Sequence, residues 1–218
     1  MTQPGAPARP LTDAIVVAVI CFGWFIVGSV GAVASGFSSG AFDDASFLAL
    51  IVYEAMLGAV ALAFLHYRGH DLATLLPRPT GVGCLIGLAL YFASAFAAWP
   101  IVALVSSRGM DGEPIGQMVA AATISLPWLI AVSVVNGLYE ETFLTGYLLP
   151  AFGAVSAPFA IGGTALIRAL YHLYQGPAGV VAVLAFGIVC SLYYWRTRKL
   201  WPVVFAHMFA DLYGFAVR

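Results

Sequence analysis

Long apolar stretches, separated by short polar or proline- and glycine-rich ones, run along almost the whole chain. Crossing a hydrocarbon layer as a helix takes ~20 mainly apolar residues. About seven runs meet that requirement, at 14–35, 45–66, 81–105, 118–139, 158–175, 178–195 and 200–217. The pattern predicts an all-α fold, a polytopic transmembrane helical bundle. Residues 1–13 are proline-rich and polar and are assigned to a cytoplasmic tail. The apolar run behind them is too long for a signal-peptide core, so it is expected to stay as the first helix. No internal repeat and no long linker interrupts 14–217, which is therefore a single transmembrane domain. Between residues 146 and 163, Pro150, Gly153, Pro158 and Gly162 should break a continuous helix. A re-entrant or interfacial segment is expected near 143–160, where protein or water must satisfy its backbone. Gly83-xxx-Gly87 and the group Gly28, Gly31, Ala32 would permit close helix packing.

Composition sharpens this picture. Of 218 residues, 62% are hydrophobic and 9% charged, which leaves no material for a soluble domain. The net charge is −1 with no basic block, so nucleic acid is not an expected partner; membrane lipid is. Cys21, Cys84 and Cys190 are odd in number and lie in apolar runs, which fits lipid-facing or core thiols and neither disulfides nor a zinc finger. Short loops rich in Lys and Arg stay in the cytoplasm. Arg9, Arg68, Arg78, Arg196, Arg198 and Lys199 fall on one side of the predicted helices. Asp43, Asp44, Asp111 and Glu113 fall on the other, with Arg108 and Arg218. The chain is thus expected in a bacterial cytoplasmic membrane with its N-terminus inside.

A few polar residues inside the apolar runs are the candidates for chemistry, because ionisable groups in a membrane are costly without a task or a partner. Glu140 and Glu141 are helix neighbours whose side chains diverge by roughly 100°, so one can face a cavity while the other braces the structure. Both could instead be solvated at the interface. His172 closes the fifth helix, either as an interfacial residue or as a site residue. Arg168, four residues before it, shares its face and is expected to meet a carboxylate in the bundle interior. His207 and Asp211 form an i, i+4 pair on one stripe of the last helix. Glu54, near the middle of the second helix, is expected to be structural, bound to a hydroxyl or protonated.

Taken in order, Glu140-Glu141, His172 and His207-xxx-Asp211 resemble the CAAX-endopeptidase and bacteriocin-processing (CPBP, or Abi) family of intramembrane proteases. Gly146-Tyr-Leu-Leu-Pro150, His172-Leu-Tyr-Gln-Gly176 and Leu200-Trp-Pro202 add to the likeness, which covers about 118–217. Two positions depart from it: Thr145 stands where the family has Arg, leaving Glu141 without an i, i+4 cation, and Arg168 stands where it has Phe. The resemblance implies an endopeptidase acting on a membrane-associated peptide, prenylated or a leader. Glu140 would be the general base, with His172 beside it, and His207 and Asp211 would stabilise the oxyanion. Glu141 and Arg168 would be supporting residues. No cofactor is required on this scheme; the competing scheme places zinc on His172, His207 and Glu140. Glu140, His172 and His207 should then line one cavity, opening toward the cytoplasm. The rivals are a non-catalytic family member serving as membrane scaffold or immunity protein, and a proton-coupled transporter. Oligomeric state is left open.

Overall fold

The computed structural model describes residues 10–37, 41–107 and 114–216. Arg9, Arg108, Asp111, Glu113 and Arg218 lie outside them. The helices are α1 (Pro10–Ala34), α2 (Asp44–Tyr67), α3 (Gly81–Ser106), α4 (Pro114–Ala120), α5 (Leu126–Glu140), α6 (Leu149–Gly153), α7 (Ala157–Tyr171), α8 (Gly176–Thr197) and α9 (Trp201–Ala216). A π-helical segment, Glu141–Leu148, joins α5 to α6, and short 3₁₀ turns occupy Leu72–Leu75 and Leu173–Gln175. Among the described residues there is no strand.

Among the described residues, four segments are long and apolar enough to cross a membrane: Leu11–Ala34, Asp44–Tyr67, Gly81–Val105 and Leu173–Thr197. Their outward faces are apolar, as at Ile15, Val19 and Val27 on α1 and Phe92, Phe96 and Trp99 on α3. In water such a surface would drive association; against lipid it is the solvated face. α5, α7 and α9 are shorter, at 15, 15 and 16 residues, and it is these that carry the polar positions. α3 packs on α8 and α9, α5 on α2 and α9, and α7 on α1, α6 and α8. The interior is filled by Phe22, Leu65, Leu144, Leu148, Leu149, Val203 and Val204, all essentially inaccessible.

Several boundaries differ from the sequence expectation. α1 begins at Pro10, inside the assigned tail, and Asp13 is buried where it meets Arg68 at 3.0 Å and His70 at 3.3 Å. The run expected at 118–139 is interrupted: α4 ends at Ala120 and α5 starts only at Leu126. Ser125 gives its N–H and hydroxyl to the Asp44 carboxylate at 2.8 and 2.9 Å, and Pro127 sits in the first turn, where a missing N–H costs nothing.

The segment near 143–160, expected to be re-entrant or interfacial, is built as helix, turn and helix. Helix continues through Gly146 and Pro150 to Gly153, and the chain reverses only at residues 154–156. Pro150 follows the change from π to α hydrogen bonding, where the ladder is shifted and its absent N–H is tolerated. Pro158 lies in the first turn of α7, capped by Ser156, whose hydroxyl accepts the Phe159 N–H at 3.2 Å. Proline here starts a helix instead of breaking one.

Among the small-residue motifs, Gly83 and Gly87 do bring helices together. A Cβ on Gly87 would lie 2.7 Å from the Pro202 carbonyl oxygen, so these glycines let α3 lie against the start of α9. Gly28 and Gly31 have no neighbour within 4 Å; Gly28 and Ala32 line a cavity instead of a helix contact.

Candidate active site

Glu140 and Glu141 stand where α5 passes into the π segment, and their side chains part as neighbouring helical residues must. Glu141 is wholly buried. Its Oε2 accepts the Thr145 hydroxyl at 2.6 Å, and its Oε1 accepts Arg168 Nη2 and His207 Nδ1, each at 2.7 Å. Glu141 therefore has a local i, i+4 partner after all. Thr145 supplies a neutral donor there, and the cation comes from another helix.

Arg168 reaches across from α7 with its guanidinium between the two carboxylates, Nη1 lying 3.4 Å from Glu140 Oε2. Its stem fits because residue 187 on α8 is glycine: a Cβ there would meet Arg168 Cδ at 2.9 Å. The Phe186 ring, 5.4 Å from the guanidinium carbon, covers the same group with its face. The expectation that Arg168 meets an acid in the bundle interior is realised with both.

Glu140 turns the other way, into a cavity of about 390 Å³. Its Oε2 accepts the Tyr171 hydroxyl and lies 3.9 Å from His207 Nε2. No side chain among the described residues hydrogen-bonds Oε1. Asp211, Asn136 and His172 line the same cavity, whereas His207, expected to share it, is not among its lining residues. Asn136 Nδ2 donates to Asp211 Oδ2 at 3.0 Å and lies 3.3 Å from His207 Nε2. His207 comes this close because Gly137 lets α9 lie on α5, where a Cβ would stand 3.0 Å from Met208 Cγ.

His172 ends α7 and does not hydrogen-bond Glu140. Its Nδ1 lies 2.9 Å from the Arg168 carbonyl oxygen. A carbonyl only accepts, so Nδ1 carries the hydrogen and the neutral ring keeps a lone pair on Nε2.

Glu140, Glu141 and His207 bring ligand atoms within 4.8 Å of one another, the arrangement nearest to a metal site among the described residues. His172, required by the zinc scheme, is not in that group. The Arg168 guanidinium already occupies the space between the two carboxylates. A second, divalent cation beside it would be opposed by charge, so the donor set fits a metal poorly.

Toward one end of the bundle the cavity is lined by the end of α1 (Ser29, Ala32), by Phe42 just before α2 and Phe47 within it, and by the end of α9 (Phe215), and we take this end as its mouth. Arg68, Arg78, Arg196, Arg198 and Lys199 all lie at the opposite end of these helices. A cytoplasmic basic end and a cytoplasmic mouth, both expected from sequence, therefore exclude each other.

Asn136, Tyr171 and Gly187 escaped the sequence reading, although Asn136 sits one turn before Glu140 and Tyr171 three residues after Arg168. No curated protein and no solved structure matches the chain. Residues 122–213 match the family model described as type II CAAX prenyl endopeptidase Rce1-like. That stretch contains the Glu140, Glu141, Arg168, His172, His207 and Asp211 constellation, so the part of the chain that carries the site is similar to the CAAX-protease family of intramembrane proteases.

Proposed function

We propose that the protein is an endopeptidase that hydrolyses a peptide bond of a membrane-associated substrate, with Glu140 as general base. The observation that carries this reading is the asymmetry of the acid pair. Glu141 has every oxygen engaged by Thr145, Arg168 and His207, whereas Glu140 offers an oxygen without a side-chain partner among the described residues to a cavity shared with His172 and Asp211.

In this scheme a water between Glu140 Oε1 and His172 Nε2 gives its proton to Glu140 as its oxygen attacks the scissile carbonyl carbon. The carbonyl π pair moves onto oxygen, where protonated His207 directs its Nε2–H and Asn136 its amide. Collapse breaks the C–N bond, and the leaving amine takes the proton held by Glu140. Asp211 positions Asn136 and His207. No metal takes part.

The basic end of the bundle belongs in the cytoplasm by the rule for short loops. The mouth then faces the opposite side, so the substrate is a peptide presented there, which suits a leader-type substrate better than a cytoplasmic prenylated tail. The non-catalytic alternative draws on one observation: Tyr171 and Arg168 both engage Glu140 Oε2, tying this carboxylate into the same structural network as Glu141.

Purified protein in detergent, offered prenylated and leader peptides, tests the proposal. Cleavage by the wild type that falls by about 10²-fold or more in Glu140→Gln is expected. No cleavage of either class, or cleavage undiminished in Glu140→Gln, would sink it.

A further inference from the structure

The cavity contains one acid that the hydrolytic scheme leaves unused. Glu54, on α2, is 2% exposed and lines the cavity together with Glu140 and Asp211. Its Oε2 is buried without a hydrogen-bond partner among the described residues. The hydroxyl expected from sequence to hold it is absent among the described residues. A buried carboxyl aimed into a cavity with nothing to bind is unusual, because such groups are ordinarily paired.

Its surroundings indicate what would complete it. Three carboxyl groups, Glu54, Glu140 and Asp211, share the space; His207 stands beside Glu140 and Asp211, and Arg168 is held at 2.7 Å by Glu141. The walls beside Glu54 are aromatic and aliphatic, including Phe25, Phe47, Leu50 and Tyr139. Such walls accept a methylene stem and present ring faces to a positive group. Among the described residues Glu54 is not part of a group whose ligand atoms converge as for a metal ion. At the mouth, Asp43 and Asp44 begin α2. The Ser46 N–H, 2.7 Å from Asp43, keeps that carboxyl below its ordinary range, so the entrance is negative as well.

We propose that Glu54 is a specificity-determining cation subsite, receiving the ammonium or guanidinium end of a Lys or Arg side chain of the peptide substrate. The stem of that side chain lies along Phe25, Phe47 and Leu50. The subsite deepens the protease reading and rests on it for the identity of the bearer, but its chemistry can be measured without any cleavage.

The test is calorimetric titration of the full-length protein in detergent with n-butylammonium and n-butylguanidinium chloride, with n-butanol and sodium chloride as comparisons. Saturable binding of both organic cations is expected, with none for butanol and no competition by sodium at equal concentration. Glu54→Gln should weaken binding about tenfold or more at unchanged melting temperature, and Glu54→Asp, which withdraws the carboxylate by one methylene, about threefold. Should the Gln variant not fold, the Asp variant decides. Absence of saturable binding to the wild type, equal affinity in the variants, or equal competition by sodium would overturn the subsite. Its failure would leave peptide cleavage dependent on Glu140 untouched, and a failure of cleavage would leave the titration unchanged.

Discussion

The Thr145 hydroxyl lies 2.6 Å from Glu141 Oε2, one helical turn along the same segment, at the position where the family that the chain resembles has an arginine. The cation is supplied by Arg168 from α7, 2.7 Å from the other oxygen. One buried carboxylate thus keeps both a local donor and a positive partner, although they come from two helices. A buried ion pair broken on one side leaves an uncompensated charge, typically at a cost of about 3–5 kcal/mol. Arg168→Ala should lower stability by that order in denaturant or thermal unfolding. Adding Thr145→Arg to Arg168→Ala should recover part of the loss; a double variant no more stable than Arg168→Ala would argue against this exchange of partners.

The two glutamates should separate by readout. Glu140→Gln is expected to remove cleavage with little change in melting temperature, since its Oε1 has no protein partner. Glu141→Gln leaves Arg168 and His207 without their shared acceptor and should destabilise the fold by about 3–5 kcal/mol. Equal loss of activity at unchanged stability in both variants would contradict the division.

Gly187→Ala tests the space made for Arg168. The added methyl group would press on Arg168 Cδ, and overpacking of this kind costs about 1–3 kcal/mol. Activity should fall with it, because a displaced guanidinium no longer holds Glu141. A variant as stable and as active as the wild type would show that Arg168 has room to move.

Metal dependence is separable from all of these. With Arg168 between the carboxylates, activity should survive a strong chelator, and elemental analysis should find no stoichiometric zinc. Loss of activity on chelation, restored by added zinc, would overturn the metal-free scheme.

Orientation can be read by labelling intact cells with a membrane-impermeant maleimide after Cys21, Cys84 and Cys190 have been replaced by serine. Ala41→Cys, at the mouth end, should react from outside, and Arg78→Cys, at the basic end, only after the membrane is opened. The reverse result would place the mouth in the cytoplasm and restore a cytoplasmic prenylated peptide as substrate.

What the amino-acid sequence determined by itself is the class of molecule and the chemistry it could hold. Runs of ~20 apolar residues need no tertiary information, because in lipid each helix satisfies its own backbone. For the same reason Glu140, Glu141, Arg168, His172, His207 and Asp211 stood out: charge is expensive there wherever it occurs. What only the tertiary structure decided is which groups meet. Whether Glu140 or Glu141 faces the cavity depends on the angle between adjacent side chains and on the packing of α7 and α9 against α5. The prolines at 150 and 158 looked like helix breakers, but their effect depended on a π-to-α junction and a helix start that local composition does not reveal. Asn136, Tyr171 and Gly187 acquired their places from residues 75, 31 and 19 positions away in the chain, Asp211, Glu140 and Arg168 respectively. The direction of the cavity mouth was equally beyond the sequence, since it is set by which helix ends splay apart, a property of the assembled bundle.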